Sequence, residues 1–133
     1  PTITQLSAHF SDTEFRCPCR ADDCSAPTLP NPRLIDRLET LRVVVGKPIV
    51  ITSGIRCAAY NRFVGGEEPS AHLTGDAADL AVDTSRDVYW LLRTILQRDL
   101  FHRIGYGRRD RDKNITLHVD VSESLPQRVV WTY

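Results

Sequence analysis

Ser70-Ala71-His72-Leu73-Thr74-Gly75-Asp76-Ala77-Ala78-Asp79 is the stretch on which the reading of this chain turns, and Leu117-His118-Val119-Asp120 is the segment that answers it. The first passes from a Ser/Gly loop carrying His72 into Ala77-Ala78-Asp79-Leu80-Ala81-Val82, a small and apolar run of strand length. Asp79 then sits on a buried strand among residues that cannot neutralise it, and a buried carboxylate needs a cation. Around the second segment the apolar residues recur with period two. This predicts a strand with Ile115, Leu117, Val119 and Val121 on a core face, and Thr116, His118 and Asp120 on a face that carries chemistry. His72, Asp79 and His118 together offer two imidazoles and a carboxylate, the ligand set of a catalytic zinc centre with one position left open. A single histidine in such a loop is usually just hydrogen-bonded, and a single core aspartate is usually paired. The joint pattern is what points to metal.

Ser70-x-His72-x-x-Gly75-x-Ala77-x-Asp79 followed by His118-x-Asp120 resembles the zinc D-alanyl-D-alanine carboxypeptidase family of metallopeptidases, in particular its small single-domain phage and bacterial members. Ile51-Thr52-Ser53-Gly54-Ile55-Arg56, Tyr60-Asn61 and Val64-Gly65-Gly66 resemble the segment those proteins carry before the metal motif, so the likeness runs from about Phe10 to Val121. It implies Zn2+ as cofactor, with His72, Asp79 and His118 as ligands, and Arg56 as a substrate-binding cation. The implied substrate is a peptidoglycan stem peptide, cut as a D,D-carboxypeptidase or as an endopeptidase. The planar fork of Arg56 suits a carboxylate, whether a peptide C-terminus or a D-glutamate side chain. Ser70 is placed to hydrogen-bond a ligand or substrate.

Hydrolysis at an open zinc also needs a group that takes the water proton and passes it to the leaving amine. Asp120 is the candidate, because residues i and i+2 on a strand share a face. Many relatives of this kind carry a glutamate three residues before the last histidine ligand, and this chain has Ile115 there. If Asp120 only orients His118, the base is unassigned. A catalytically inactive zinc-bearing peptide-binding domain, or a phage structural domain, is then the alternative reading.

At 133 residues the chain is expected to form one domain with a real core. Lysine plus arginine, 17, balances aspartate plus glutamate, 17, so no global field recruits nucleic acid or an anionic membrane. No apolar run approaches the roughly 20 residues of a spanning helix. The start lacks a basic region followed by an apolar one, so no signal peptide is expected. Action at the bacterial cell wall would then come through phage lysis or a virion. A monomer is favoured.

Residues 1–30 read as an irregular, Cys-containing segment, opened by a capped turn at Ser11-Asp12-Thr13-Glu14. Cys17, Cys19, Cys24 and Cys57 read first as thiols or disulfides. Three thiolates and a further ligand would also complete a tetrahedral metal site, although one residue and then four between the first three cysteines is no standard finger spacing. Asn31-Pro32 opens a helix with Leu34, Leu38, Leu41 and Val45 as its stripe and Gly46 as its end. Pro48 to Ser53 reads as a strand, and Ala58 to Val64 as a short helix. Gly65 to Pro69 reads as a mobile loop whose Glu67 and Glu68 are solvated and outside the site. Thr84 or Ser85 caps a helix with Val88, Leu91, Leu92 and Ile95 inside and Tyr89 and Trp90 in the core. Arg108 to Asn114 reads as a mixed-charge hairpin turn, and His102 and His9 lie outside the site. The expected fold is α+β, a small, mostly antiparallel sheet with helices packed on one side.

Overall fold

The computed structural model describes residues 2–108 and 114–133. Asn31 caps the first helix, α1 (Pro32–Val45), by accepting from the Arg33 amide, and Pro32 occupies the first turn, where its missing N–H leaves nothing unpaired. The helix stops at Gly46, whose φ of 71° is left-handed. The second long helix, α3 (Ser85–Gln97), begins at Thr84, whose hydroxyl accepts from the Asp87 amide. Between them lie the short strand β1 (Ile51–Ser53), helix α2 (Ala58–Phe63), a 3-10 turn at Ala71–Thr74, and strand β2 (Ala77–Val82). Strands β3 (Arg103–Arg108), β4 (Ile115–Asp120) and β5 (Val129–Thr132) complete the fold.

The five strands form one sheet in the order β1-β2-β4-β3-β5, antiparallel throughout except for the β3–β5 pair. The expected α+β class, with a mostly antiparallel sheet, is what the chain adopts. β4 inserts between β2 and β3, so α3 carries the chain over it. Strand alternation then divides the sheet. Ala78, Leu80, Val82, Ile104, Leu117 and Val119 join Leu34, Leu38 and Leu41 of α1 and Val88, Leu91 and Ile95 of α3 in one apolar cluster. The opposite face carries Asp79, His118 and Asp120, all buried.

Two expectations need correction. Tyr89 and Trp90 are 57% and 48% exposed, because Val88, Leu91 and Ile95 take the inward stripe of α3 and turn these rings outward. Trp90 instead lies under the Arg93 guanidinium at 5.2 Å. The Pro48–Ser53 run pairs only over Ile51–Ser53, where the register slips between Ile51 and Ser53. Residues 109–113 of the expected mixed-charge turn lie outside the described residues. Strands β3 and β5 carried no clear sequence signal. The first is interrupted by Gly105 and Gly107, and the second is only four residues long. Among the described residues no helix is long and apolar enough to cross a membrane.

Replacing the fully buried Leu38 by alanine should cost about 2–5 kcal/mol in denaturant unfolding. Val43→Ala, on the 62% exposed outer face of the same helix, should stay within about 0.5 kcal/mol. Equal losses at the two positions would contradict the packing described.

Candidate metal centre

The register of the sheet assembles the site as a row across its polar face. Ser53 of β1 pairs with Asp79, Asp79 with His118, His118 with Gly105, and Gly105 with Trp131. His72 enters from outside the sheet. Ser70 caps its turn by accepting from the His72 amide at 3.2 Å, and Gly75 closes that turn with φ 76°, a left-handed conformation that a side chain would strain. The Gly75 carbonyl accepts from the Asn31 amide at 2.8 Å, so the loop is fastened to the start of α1.

Both imidazoles are oriented from behind. His72 Nδ1 lies 2.6 Å from the Gly54 carbonyl, an acceptor, so this nitrogen carries the proton and Nε2 turns its lone pair toward Asp79 Oδ1, 3.3 Å away. His118 Nε2 lies 2.7 Å from Asp120 Oδ2, an acceptor, so Nε2 carries the proton and Nδ1 faces the same Asp79 oxygen at 3.0 Å with its lone pair. With both rings neutral, three acceptors converge with no hydrogen between them. That arrangement is costly unless a cation fills it. The ligand atoms of His72, Asp79 and His118 lie within 4.8 Å of one another, and two nitrogens with one oxygen are the donor set of a zinc centre. A metal therefore fits the residues present.

Charge states follow the same geometry. Burial pushes His72 toward its neutral form, against the pull of Asp79. Burial alone would raise the Asp79 carboxyl, yet whenever a proton stands on the facing nitrogen of His118 or His72 the hydrogen bond it donates holds that carboxyl far below the usual carboxylate range. His118 is opposed by burial too, but Asp120 and Asp79 outweigh it and lift its pKa above the ordinary value.

The second carboxylate oxygen of Asp79 accepts from Arg56 Nη2 at 3.0 Å. Arg56 is itself buried, and donates further to Asn61 Oδ1 at 3.1 Å and Ser53 Oγ at 3.0 Å. Asp120 is engaged on every side. Besides His118 it meets Arg103 Nε at 3.0 and 3.1 Å, and its Oδ1 accepts from the Ser122 amide at 3.1 Å. Its carboxylate sits on the far nitrogen of His118, away from the convergence point.

Two cavities, of about 410 and 680 Å³, open beside the row. His72, His118 and Ser70 line the smaller, Asp79 lines the larger, and Arg56 and Glu67 line both. Glu67, read from the sequence as a solvated acid outside the site, is exposed but belongs to the cavity wall. The loop read as mobile is held by Asn61, whose Nδ2 donates to the Glu67 carbonyl at 3.1 Å. His102 pairs with Asp99 at 2.8 Å and His9 with Glu39 at 2.5 Å, both outside the cluster. Arg103 and Trp131 were missed in the sequence because they lie on the two strands without a clear signal. The Trp131 ring lies 5.2 Å from that of His118 and 5.1 Å from the Arg103 guanidinium.

Gly105 makes room for that ring, since a Cβ there would meet Trp131 Nε1 at 2.5 Å. Gly105→Ala in a Trp90→Phe background should shift the Trp131 emission spectrum and destabilise the fold by about 1–3 kcal/mol. An unchanged spectrum would mean that the indole is not seated on Gly105.

No curated protein matches the chain. The Peptidase M15 family profile matches residues 8–120, from the segment before the first cysteine through β4, and so includes His72, Asp79, His118 and Asp120. With most of its length matched and a metal-capable His/Asp/His group at the centre of its sheet, the chain belongs to the Peptidase M15 family.

Proposed function

We propose that this protein is a zinc peptidase that hydrolyses peptidoglycan stem peptides, as a D,D-carboxypeptidase or an endopeptidase, and that it works at the bacterial cell wall in phage lysis or from a virion. The observation that carries the hydrolase reading is the convergence of two imidazole lone pairs and a carboxylate oxygen beside open cavities. His72, Asp79 and His118 would hold the ion, which supplies Lewis acidity to the scissile carbonyl and acidifies water near neutral pH. Arg56 holds Asp79 in place, and lines both cavities where a substrate carboxylate would be drawn. Ser70 lines the smaller cavity, next to His72, and would hydrogen-bond the peptide from there.

Asp120 acts in this reading as a positioning residue and not as the base expected from the sequence. Its oxygens are occupied by His118, Arg103 and the Ser122 amide, and it approaches His118 from behind. The acid and base role falls to Glu67, the exposed carboxylate shared by both cavity walls. Ile115, where a glutamate stands in many proteins of this kind, packs partly against the apolar core and lines the larger cavity, where it brings no carboxylate. That residue is also what favours the second reading, an inactive zinc-bearing peptide binder.

Digestion of purified muropeptides, followed by mass spectrometry alongside zinc content, separates these readings. The parent should hold zinc and release alanine or a split stem peptide, and His118→Ala should lose both metal and turnover. Glu67→Gln should keep its zinc and lose about 100-fold or more in kcat. Asp120→Ala should weaken zinc affinity about 10–100-fold. Full zinc affinity in Asp120→Ala together with lost turnover would return the base to Asp120. A zinc-loaded parent that binds stem peptides but cuts none would establish the binder.

Protons compete with the metal at both imidazoles. Because the His118 pKa is raised above its ordinary 6.5, protons claim that nitrogen from higher pH than for a free imidazole. Zinc retained after dialysis should therefore begin to fall above pH 6.5 and decline steadily toward acid, with no gain at any lower pH.

A further inference from the structure

The irregular N-terminal segment is fastened to α1 through Ser7 and His9, which both meet Glu39, and to the turn before α2 through Phe15. The Ile55 amide donates to the Phe15 carbonyl at 2.8 Å, and Phe15 is wholly buried. Two residues further along each strand of that contact stand Cys17 and Cys57. The Cys57 amide donates to Cys17 Sγ at 3.3 Å, and the Tyr60 amide donates to Cys57 Sγ at 3.4 Å, which makes Cys57 the cap of α2. Cys19 and Cys24 curl back to the same point. All four cysteines are unbridged, and their sulfurs lie within 4.8 Å of one another.

We propose that Cys17, Cys19, Cys24 and Cys57 form a structural tetrathiolate zinc site, separate from the His72–Asp79–His118 group. Zinc–sulfur bonds of about 2.3 Å in a tetrahedron set sulfur-to-sulfur edges of about 3.8 Å, so a small contraction of the observed cluster suffices. All four coordination positions are filled by sulfur, which closes the site to water and makes it structural. The two amide-to-sulfur hydrogen bonds orient two of the sulfurs. On loading, each thiol gives its proton to solvent as one zinc–sulfur bond forms, with no change of oxidation state.

The physical need is local. Residues 15–31 contain no helix or strand, and Cys19 and Cys24 lie in turns that little else holds. Zinc would tie this loop to Cys57, the residue after Arg56. It would thereby brace the turn that presents Arg56 to Asp79 and the Gly54 carbonyl to His72. Disulfides would restrain the same loop in a different way, by pairing the sulfurs two by two.

The test reads sulfur and metal directly, so it stands apart from the peptidase reading. The full chain is purified without added reductant, and its thiols are titrated in denaturant and in buffer, with and without a chelator. Four thiols should react in denaturant with chelator, and they should be protected in native buffer until zinc is removed. The cobalt-substituted protein should show an intense thiolate-to-cobalt charge-transfer band that survives in His72→Ala/His118→Ala. Cys19→Ser/Cys24→Ser should lose that band and one equivalent of zinc. The parent measurements need no variant and decide the matter even if that double variant fails to fold. Fewer than four thiols in denaturant would show disulfides and overturn the proposal. So would four thiols that react freely in the native, zinc-loaded protein, or a cobalt form without the charge-transfer band.

Discussion

Everything in the polar half of this molecule is arranged around the carboxylate of Asp79. It is buried on a central strand, where an ionised acid is costly, and the protein answers each of its oxygens separately. One oxygen takes a hydrogen bond from Arg56. The other faces His72 and His118, both of whose far nitrogens are held by acceptors, the Gly54 carbonyl and Asp120. Fixing a ring from behind determines which nitrogen presents its lone pair in front. The convergence of acceptors is thus a consequence of the contacts made behind the rings, and it is what makes the group able to hold a cation.

The same logic explains the division of labour among residues that look alike in sequence. Asp79, Asp120 and Glu67 are all carboxylates near the cleft. Asp79 faces both imidazoles, Asp120 stands behind one of them with Arg103 as counter-charge, and Glu67 is exposed on the cavity wall. Their environments differ accordingly: the first stands among the atoms that could hold a metal, the second behind a ring, and the third in solvent. Arg56 and Arg103 are parallel devices, each pinning one buried aspartate of the row. Removing either arginine would leave a buried negative charge without its partner, so these cations belong to the architecture of the site as much as to its electrostatics.

The apolar half is simpler. Alternate residues of β2 and β4 meet the inward stripes of α1 and α3, and the two helices cover one face of the sheet only. The other face is left to the polar row, covered by the His72 turn and the loop that carries Arg56, with the Trp131 ring of β5 beside His118. The N-terminal segment joins the two halves, since Phe15 belongs to the apolar cluster while Cys17 meets Cys57, next to Arg56.

By itself the sequence determined the helices at Pro32–Val45 and Ser85–Gln97, the strands of Asp79 and His118, and the metal-capable trio. Each rests on local information, in caps, periodicity and the company a buried acid keeps. Only the tertiary structure decided what stands behind the trio. Arg103, Gly105 and Trp131 become site residues through strand register, which pairs residues far apart in the chain and leaves no trace in the spacing of any one segment. The sequence named Asp120 as the base because it shares a face with His118, and sharing a face does not say which ring nitrogen it meets, which in the structure is Nε2. The four cysteines were visible from the start, but their meeting at one point depends on the contact between Phe15 and Ile55, which no local pattern encodes.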